Sequence, residues 1–158
     1  MVNMSLNDLT VVAEDGSELF VFDHRGRHLQ TRDTRTGAVR YAFAYDGAGR
    51  LASVTDIDGQ VTMIQHDAQG QPSAIVAPHG QTTALAVDGD GYLVSITNPA
   101  GEAISFTYGN GGLLASMTDA KGQPHGFGYD ALGRLIHDQD PAGGFKDLAR
   151  TVDGGAST

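Results

Sequence analysis

Two columns of glycine run through the sequence at a near-constant interval, and they constrain the fold more than any other feature. One comprises Gly26, Gly49, Gly70, Gly91, Gly112, Gly133 and Gly154, spaced by 23 residues and then five times by 21. The other comprises Gly16, Gly37, Gly59, Gly80, Gly101, Gly122 and Gly143, spaced by 21, by 22 and then four times by 21. A fixed period of this size marks an array in which each unit is one supersecondary motif stacked on the next. A glycine every ten or eleven residues also leaves no room for a helix of useful length.

The residues three places before these glycines say what the columns are. Asp23, Asp46, Asp67, Asp88 and Asp130 precede the first column, with Gly109 and Thr151 as exceptions; Asp56, Asn98, Asp119 and Asp140 precede the second, with Ala13, Thr34 and Ala77 as exceptions. In a type I turn, Asp or Asn at the first position accepts hydrogen bonds from the following backbone, Pro suits the second and Gly the fourth. Ala77-Pro78-His79-Gly80, Asn98-Pro99-Ala100-Gly101 and Asp140-Pro141-Ala142-Gly143 place Pro and Gly there. Glycine after such a turn also supplies the left-handed residue of a common hairpin bulge.

Between turns stand six residues on one side, as in Arg50 to Thr55, and seven on the other, as in Gln60 to His66. These are strand lengths. In the longer strand the position three before Asp reads Phe20, Phe43, Ile64, Leu85, Phe106, Phe127 and Leu148, an uninterrupted apolar column. Two residues on, the next column reads Phe22, Tyr45, His66, Val87, Tyr108, Tyr129 and Arg150, which alternation puts on the same face. The expectation is an all-β fold: tandem antiparallel hairpins of about 21 residues in one continuous twisted or spiralling sheet, with the first column buried as a shared core. The shorter strand is less regular, because Leu51 and Val54, Pro72 and Ile75, Leu93 and Ile96, and Leu114 and Met117 are three apart rather than two. A bulge or a strong local twist would reconcile that spacing. The array is expected over residues 14–154, about six and a half repeats, after a lead-in at 1–13 and before a tail at 155–158. A β-propeller is the alternative, since two repeats make a 42-residue four-stranded blade. The aromatic columns show no alternation between odd and even repeats.

Tyr45-Asp46-Gly47-Ala48-Gly49-Arg50-Leu51 and Tyr129-Asp130-Ala131-Leu132-Gly133-Arg134-Leu135 are the fullest units. They resemble the Tyr-Asp-x-x-Gly-Arg-Leu signature of the Rhs or YD-repeat family of bacterial polymorphic toxins, insecticidal toxin components and teneurins. The resemblance implies a spiralling sheet that closes into a hollow shell around a toxic C-terminal segment. It implies further repeats of a larger parent chain, or an enclosed polypeptide, as partners, and a secreted or cell-surface bacterial setting served by a secretion system. Asp67-Ala68-Gln69-Gly70-Gln71, Asp88-Gly89-Asp90-Gly91-Tyr92 and Gly109-Asn110-Gly111-Gly112-Leu113 lack the arginine, so local geometry is expected to vary there. Arg27, Arg50 and Arg134 follow turns opened by Asp23, Asp46 and Asp130, which suggests a carboxylate–guanidinium clasp across each turn.

Composition bounds the chemistry. Ten Lys and Arg against nineteen Asp and Glu give a net charge of −9, which disfavours nucleic acid. Without cysteine there is neither a disulfide nor a thiolate metal site. Met1 to Asp15 has no signal-peptide pattern, and no apolar run approaches the roughly 20 residues of a membrane span. His24 and His28 stand four apart, but Gly26 lies between them in a turn; Asp88, Asp90 and Gly91 form only part of a calcium loop. Asp140-Pro141-Ala142-Gly143-Gly144 resembles the family's self-cleaving Asp-Pro-x-Gly stretches, yet Asn98-Pro99-Ala100-Gly101 holds the same phase and reads as an ordinary turn. No cofactor and no catalytic residue is nominated, and an enzyme is not expected. The functional expectation is a structural segment of an Rhs-type shell that encloses or presents a toxin or other polypeptide. The alternative is a carbohydrate- or protein-binding module with Tyr45, Tyr108 and Tyr129 facing the ligand. Open sheet edges at the two ends are expected to favour self-association.

Overall fold

The computed structural model describes residues 8–149. Fourteen strands follow one another in sequence order in a single sheet. The chain divides into two units, 1–82 and 83–158. In the first, β1 (Leu9–Val12), β2 (Glu18–Phe22), β3 (His28–Asp33), β4 (Val39–Tyr45), β5 (Leu51–Asp56), β6 (Val61–His66) and β7 (Pro72–Val76) pair in order, all antiparallel. In the second, the same holds for β8 (Thr82–Val87), β9 (Leu93–Thr97), β10 (Ala103–Tyr108), β11 (Leu114–Thr118), β12 (Pro124–Tyr129), β13 (Leu135–Gln139) and β14 (Phe145–Asp147). Seven consecutive strands in one ladder replace the four-stranded blades of a propeller, so that alternative falls. β1 lies within the stretch assigned above to a lead-in and pairs with β2 from Leu9 opposite Phe22 to Val12 opposite Leu19.

The irregular spacing of the shorter strands has one cause, repeated six times. In β4–β5, Ala44 stands opposite Ser53 but Tyr45 stands opposite Leu51, so Ala52 is an extra residue. The same bulge displaces Leu29 opposite the end of β2, Ser73 opposite that of β6, Val94 opposite that of β8, Ala115 opposite that of β10 and Ile136 opposite that of β12. One extra residue turns a spacing of three into a spacing of two. Leu51 and Val54 therefore share a face with Tyr45 and Phe43, and Leu114 and Met117 with Tyr108 and Phe106.

The two faces differ in content. One carries the large side chains of the two columns and their cross-strand partners. The other carries mainly small or polar residues in register, such as Ala44 and Ser53, or Thr107 and Ser116, whose hydroxyl oxygens lie 2.7 Å apart, with Met63 opposite Ser53 as a large exception. β6, β8 and β10 alternate strictly between exposed and half-buried, and Ile64, Leu85 and Phe106 are on the half-buried side. Full burial of the column, expected above, does not occur. Phe20, Phe43 and Phe127 are half-buried as well, and Leu148, beside the last strand, is 48% exposed. Among the described residues the buried apolar side chains are Val21 and Ala74, both on the opposite face. Within each unit every strand touches only its sequence neighbours. A one-layer sheet covers its large side chains laterally and leaves their tips open along the sheet normal, hence the half-burial. Arg150, Thr151, Gly154 and the 155–158 tail lie outside the described residues.

Candidate functional site

The recurring device is the capped turn, and its chemistry starts from the need to satisfy backbone N–H groups where the ladder ends. At the Asp46 turn, the Asp46 N–H donates to the Arg50 carbonyl at 2.9 Å and the Gly49 N–H donates to the Asp46 carbonyl at 2.9 Å. The Asp46 carboxylate Oδ1 then accepts the N–H groups of Ala48 and Arg50, both at 2.9 Å. Asp23, Asp67, Asp88 and Asp130 of the first column do the same, as do Asp56, Asn98, Asp119 and Asp140 of the second. Every described glycine of both columns, Gly26, Gly49, Gly70, Gly91 and Gly133 included, has φ between +70° and +89°. This is the left-handed region that a Cβ disfavours, so the columns are glycine for a conformational reason.

The suggested clasp is present. Asp23, Asp46 and Asp130 each turn their second carboxylate oxygen to the arginine four residues on, at 2.7 Å for Arg27, 2.7 Å for Arg50 and 2.7 Å for Arg134. The arginines are a third to a half exposed, so solvent screens the pairs even where Asp23 itself is covered, and each clasp mainly orients its arginine. Turns without arginine keep their geometry when the Asp remains, as at Asp67 and Asp88. The Gly109 turn, which has neither, differs: Gly111 joins Gly112 at positive φ.

One cap escapes the three-before-glycine count. At Gly37 the turn is a residue longer, its N–H donates to the Asp33 carbonyl at 2.9 Å, and Asp33 Oδ1 accepts from Arg35 and Thr36. Thr34 instead donates its hydroxyl to the Gly16 carbonyl at 2.6 Å, tying this turn to the one before it. The longer turn and a second bulge at Arg40 account for the 22- and 23-residue glycine spacings at this point.

Asp23, Asp33, Asp46 and Asp130 stay ionised further into acid than a free carboxylate. N–H donation from Arg27 is the first cause holding Asp23 down, at about 2 against an ordinary 3.8. Asp46 is lowered chiefly by the Arg50 N–H, Asp130 by the Arg134 guanidinium, and Asp33 lies well below the usual range, first through the Arg40 guanidinium. A depressed folded-state value means that the stabilisation is complete above the unfolded value and is lost as pH falls through the folded one. The urea midpoint is therefore expected to fall between pH 4 and about 2. Asn at positions 23, 46 and 130, which keeps the capping oxygen as Asn98 does, should flatten that fall. A midpoint independent of pH in the parent chain would contradict the cap.

The tyrosines tie neighbouring hairpins together. The Tyr45 hydroxyl donates to the His28 carbonyl at 2.9 Å, and the Tyr108 hydroxyl to the Leu93 carbonyl at 2.8 Å. The Arg27 guanidinium carbon sits 5.0 Å from the Tyr45 ring centre, and Tyr92 stacks on Tyr108 at 4.9 Å. Rings held on one side and hydroxyls spent on backbone leave Tyr45 and Tyr108 poorly placed to receive the ligand suggested above. Tyr129 holds the same position, with Leu113 in the place of Arg27 or Tyr92, and its hydroxyl makes no hydrogen bond among the described residues. Tyr108→Phe is expected to lower stability by about 1 kcal/mol, read from the urea midpoint, because a half-buried carbonyl loses its donor. The Tyr129→Phe substitution should change it little.

His28, considered above as half of a metal pair, is committed elsewhere. Its ring stacks against Phe22 at 5.0 Å and Phe43 at 4.2 Å, and its Nε2 lies 2.9 Å from the Gln30 carbonyl. His24 is exposed in the turn. Asp140 caps an ordinary turn through Ala142 and Gly144.

Comparison with known proteins agrees with this construction. The family model described as Teneurin YD-shell matches residues 7–158. Mouse teneurin-4 is 37% identical over 51 residues, and Drosophila melanogaster teneurin-m is 33% identical over 60. Those matches cover 32% and 36% of this chain, which spans about 2% of the length of either relative. Among solved structures, a Photorhabdus luminescens Tc holotoxin pore matches with a TM-score of 0.51 and 19% identity over 81% of this chain and 7% of that one. A TcdB2–TccC3 crystal structure matches with a TM-score of 0.51 and 20% identity over the same shares, 81% and 7%. At such identities the structures share the fold, while the family match extends across nearly all of the sequence. The repeated Asp-capped turns, the tyrosine ties and that match together place the chain in the teneurin YD-shell family.

Proposed function

We propose that this chain is a wall segment of an Rhs-type shell, and that the shell encloses or presents a toxin or another polypeptide. The observation that carries this reading is the pairing of an unbroken repeat ladder with one face of large, half-covered apolar side chains. A single sheet can enclose volume only by being continued by further repeats, and the strands here join one to the next by the same antiparallel pairing within each unit. Function is then steric: the sheet separates an enclosed polypeptide from proteases and bulk solvent. A secreted or cell-surface setting follows from that role.

The same reading makes the chain a non-catalytic element. Asp140, the residue with a resemblance to a cleavage site, has its Oδ1 engaged by two backbone N–H groups as in every other capped turn. Intact mass is expected to stay constant on long incubation in the parent and in Asp140→Ala alike. Enclosure is tested by limited proteolysis of the full-length gene product. Non-repeat sequence that stays intact until denaturant opens the sheet supports it; immediate cleavage throughout that sequence under native conditions would overturn it.

A further inference from the structure

The Gly109 turn lacks more than an arginine. Where Asp88 opens the corresponding turn one repeat earlier, its Oδ1 holds the Asp90 N–H at 3.0 Å and the Tyr92 N–H at 2.9 Å. Gly109 has no side chain to do this, and the Gly111 N–H makes no hydrogen bond among the described residues. Nor does the Asn110 carbonyl, at the other end of the same peptide bond, accept one there. Gly111 stands at φ +81° in the third place of the turn, the mark of type II, in which the central peptide is turned over relative to type I. An exposed asparagine therefore precedes a glycine whose backbone nitrogen is uncommitted and whose peptide plane is free to rotate. The side-chain amide of asparagine is most open to attack by the following backbone nitrogen in this arrangement, because glycine presents no side chain to hinder ring closure.

Comparable positions elsewhere are blocked. Asn98 is followed by Pro99, which has no N–H to lose, and its amide caps its own turn and donates to Glu102 at 2.7 Å. Asp58 and Asp90 also precede glycine, but the Gly59 and Gly91 N–H groups donate to the Asp56 and Asp88 carbonyls, at 3.1 Å in each case. The Asp46 carboxylate, beside Gly47, is spent on Ala48 and Arg50. The Asn110 side chain has no hydrogen-bond partner among the described residues. We propose that Asn110 is a site of spontaneous self-modification, converted to aspartate and isoaspartate with loss of ammonia. The Gly111 nitrogen gives its proton to solvent and bonds to Cγ of Asn110; the Cγ–Nδ2 bond breaks, and ammonia leaves with a proton returned by solvent. Water then opens the resulting cyclic imide. Opening at Cγ leaves aspartate, whereas opening at the Asn110 backbone carbonyl leaves isoaspartate, with the main chain rerouted and lengthened through the side chain. Either product sets a carboxylate between β10 and β11, and isoaspartate also distorts the turn that seats Gly112 against Tyr92. The chain stays in one piece, so this change is separate from the cleavage considered at Asp140, and it is independent of enclosure.

Incubation of the full chain in mildly alkaline buffer, followed by mass spectrometry of its chymotryptic peptides, tests this. The peptide holding Asn110 is expected to gain the mass by which OH exceeds NH2, while the peptide holding Asn98 does not. Part of the product should also take a methyl group from S-adenosylmethionine in the presence of an isoaspartyl carboxyl methyltransferase. Gly109→Asp restores the missing cap: Gly109 is not at positive φ, and a Cβ there meets nothing nearer than the Leu113 carbonyl at 3.9 Å. It should slow the conversion about tenfold or more, the effect of a hydrogen bond from the attacking nitrogen to a charged acceptor. Gly109→Ala, which adds a Cβ without a cap, should react as the parent does. An Asn110 that converts in urea but not in the folded chain would overturn the proposal. So would equal rates in the parent and Gly109→Asp, or equal slowing by Gly109→Ala and Gly109→Asp.

Discussion

Phe43→Ala is expected to lower the stability of the chain by about 2–3 kcal/mol, as a shift of the urea midpoint at constant slope. Burying a phenylalanine completely makes its truncation cost about 3–5 kcal/mol, and Phe43 is only half-covered, which places the effect at or below the bottom of that range. Two contacts keep it there. The ring stacks on His28 at 4.2 Å with 30° between planes, and its backbone stands opposite Val54 across the β4–β5 ladder. The His28 contact crosses from one hairpin to the next, so the substitution weakens the join between repeats and not just one hairpin. A double-mutant cycle with His28→Ala should return a coupling of about 0.5–1.5 kcal/mol, the usual value for an aromatic pair. Tyr41→Ala, two residues away on the same strand and face, removes a similar area that is already 46% exposed and touches no other ring. It should cost less than about 0.5 kcal/mol. Equal losses for the two substitutions would mean that the column does not hold the sheet together.

Much of this was legible because glycine and aspartate carry conformational information that does not depend on distant partners. The left-handed φ at Gly49 or Gly133 and the Asx cap at Asp46 or Asp130 are local, so their period reveals the hairpins directly. Even the anomaly at Leu51 and Val54 pointed correctly to a bulge, since side-chain alternation allows few other remedies. Three features were not legible, each because it depends on a neighbour in space. Asp33 caps its turn from four residues before Gly37, and a fixed count of three passed over it in favour of Thr34. Tyr45 and Tyr108, placed by alternation on the packed face with ligand-facing as the alternative, show their tie only against the backbone carbonyls of the preceding hairpin. Half-burial of Phe43, Ile64 and Phe106 follows from the absence of a second layer within either unit, which periodicity along a strand cannot encode. Arg40 combines all of these difficulties: its reach to Glu18 and Asp33 depends on an insertion, a bulge and a neighbouring hairpin together.

Gly112→Ala is expected to destabilise the chain by about 2–3 kcal/mol, while Gly101→Ala costs only about 1–2 kcal/mol. Both glycines sit at positive φ, +76° and +84°, so both substitutions carry the same intrinsic penalty for an L residue. They differ in what the new methyl group meets. At Gly101 there is open space within 4 Å; at Gly112 a Cβ would collide with the hydroxyl and ring of Tyr92. Tyr92 cannot retreat freely, because its ring is stacked on Tyr108 and the Tyr108 hydroxyl is anchored on the Leu93 carbonyl. The same relation recurs in the first unit, where a Cβ at Gly70 would strike the Arg50 guanidinium, but there the obstacle is the end of a flexible side chain. Gly70→Ala should therefore fall between the other two, with the Arg50–Asp46 pair broken as Arg50 moves aside. The first glycine column thus has a second reason to lack a side chain: at several repeats the residue after one turn lies across the glycine of the next. If the three variants lose stability equally, the backbone angle alone accounts for the column, and the packing of one turn upon the next contributes nothing.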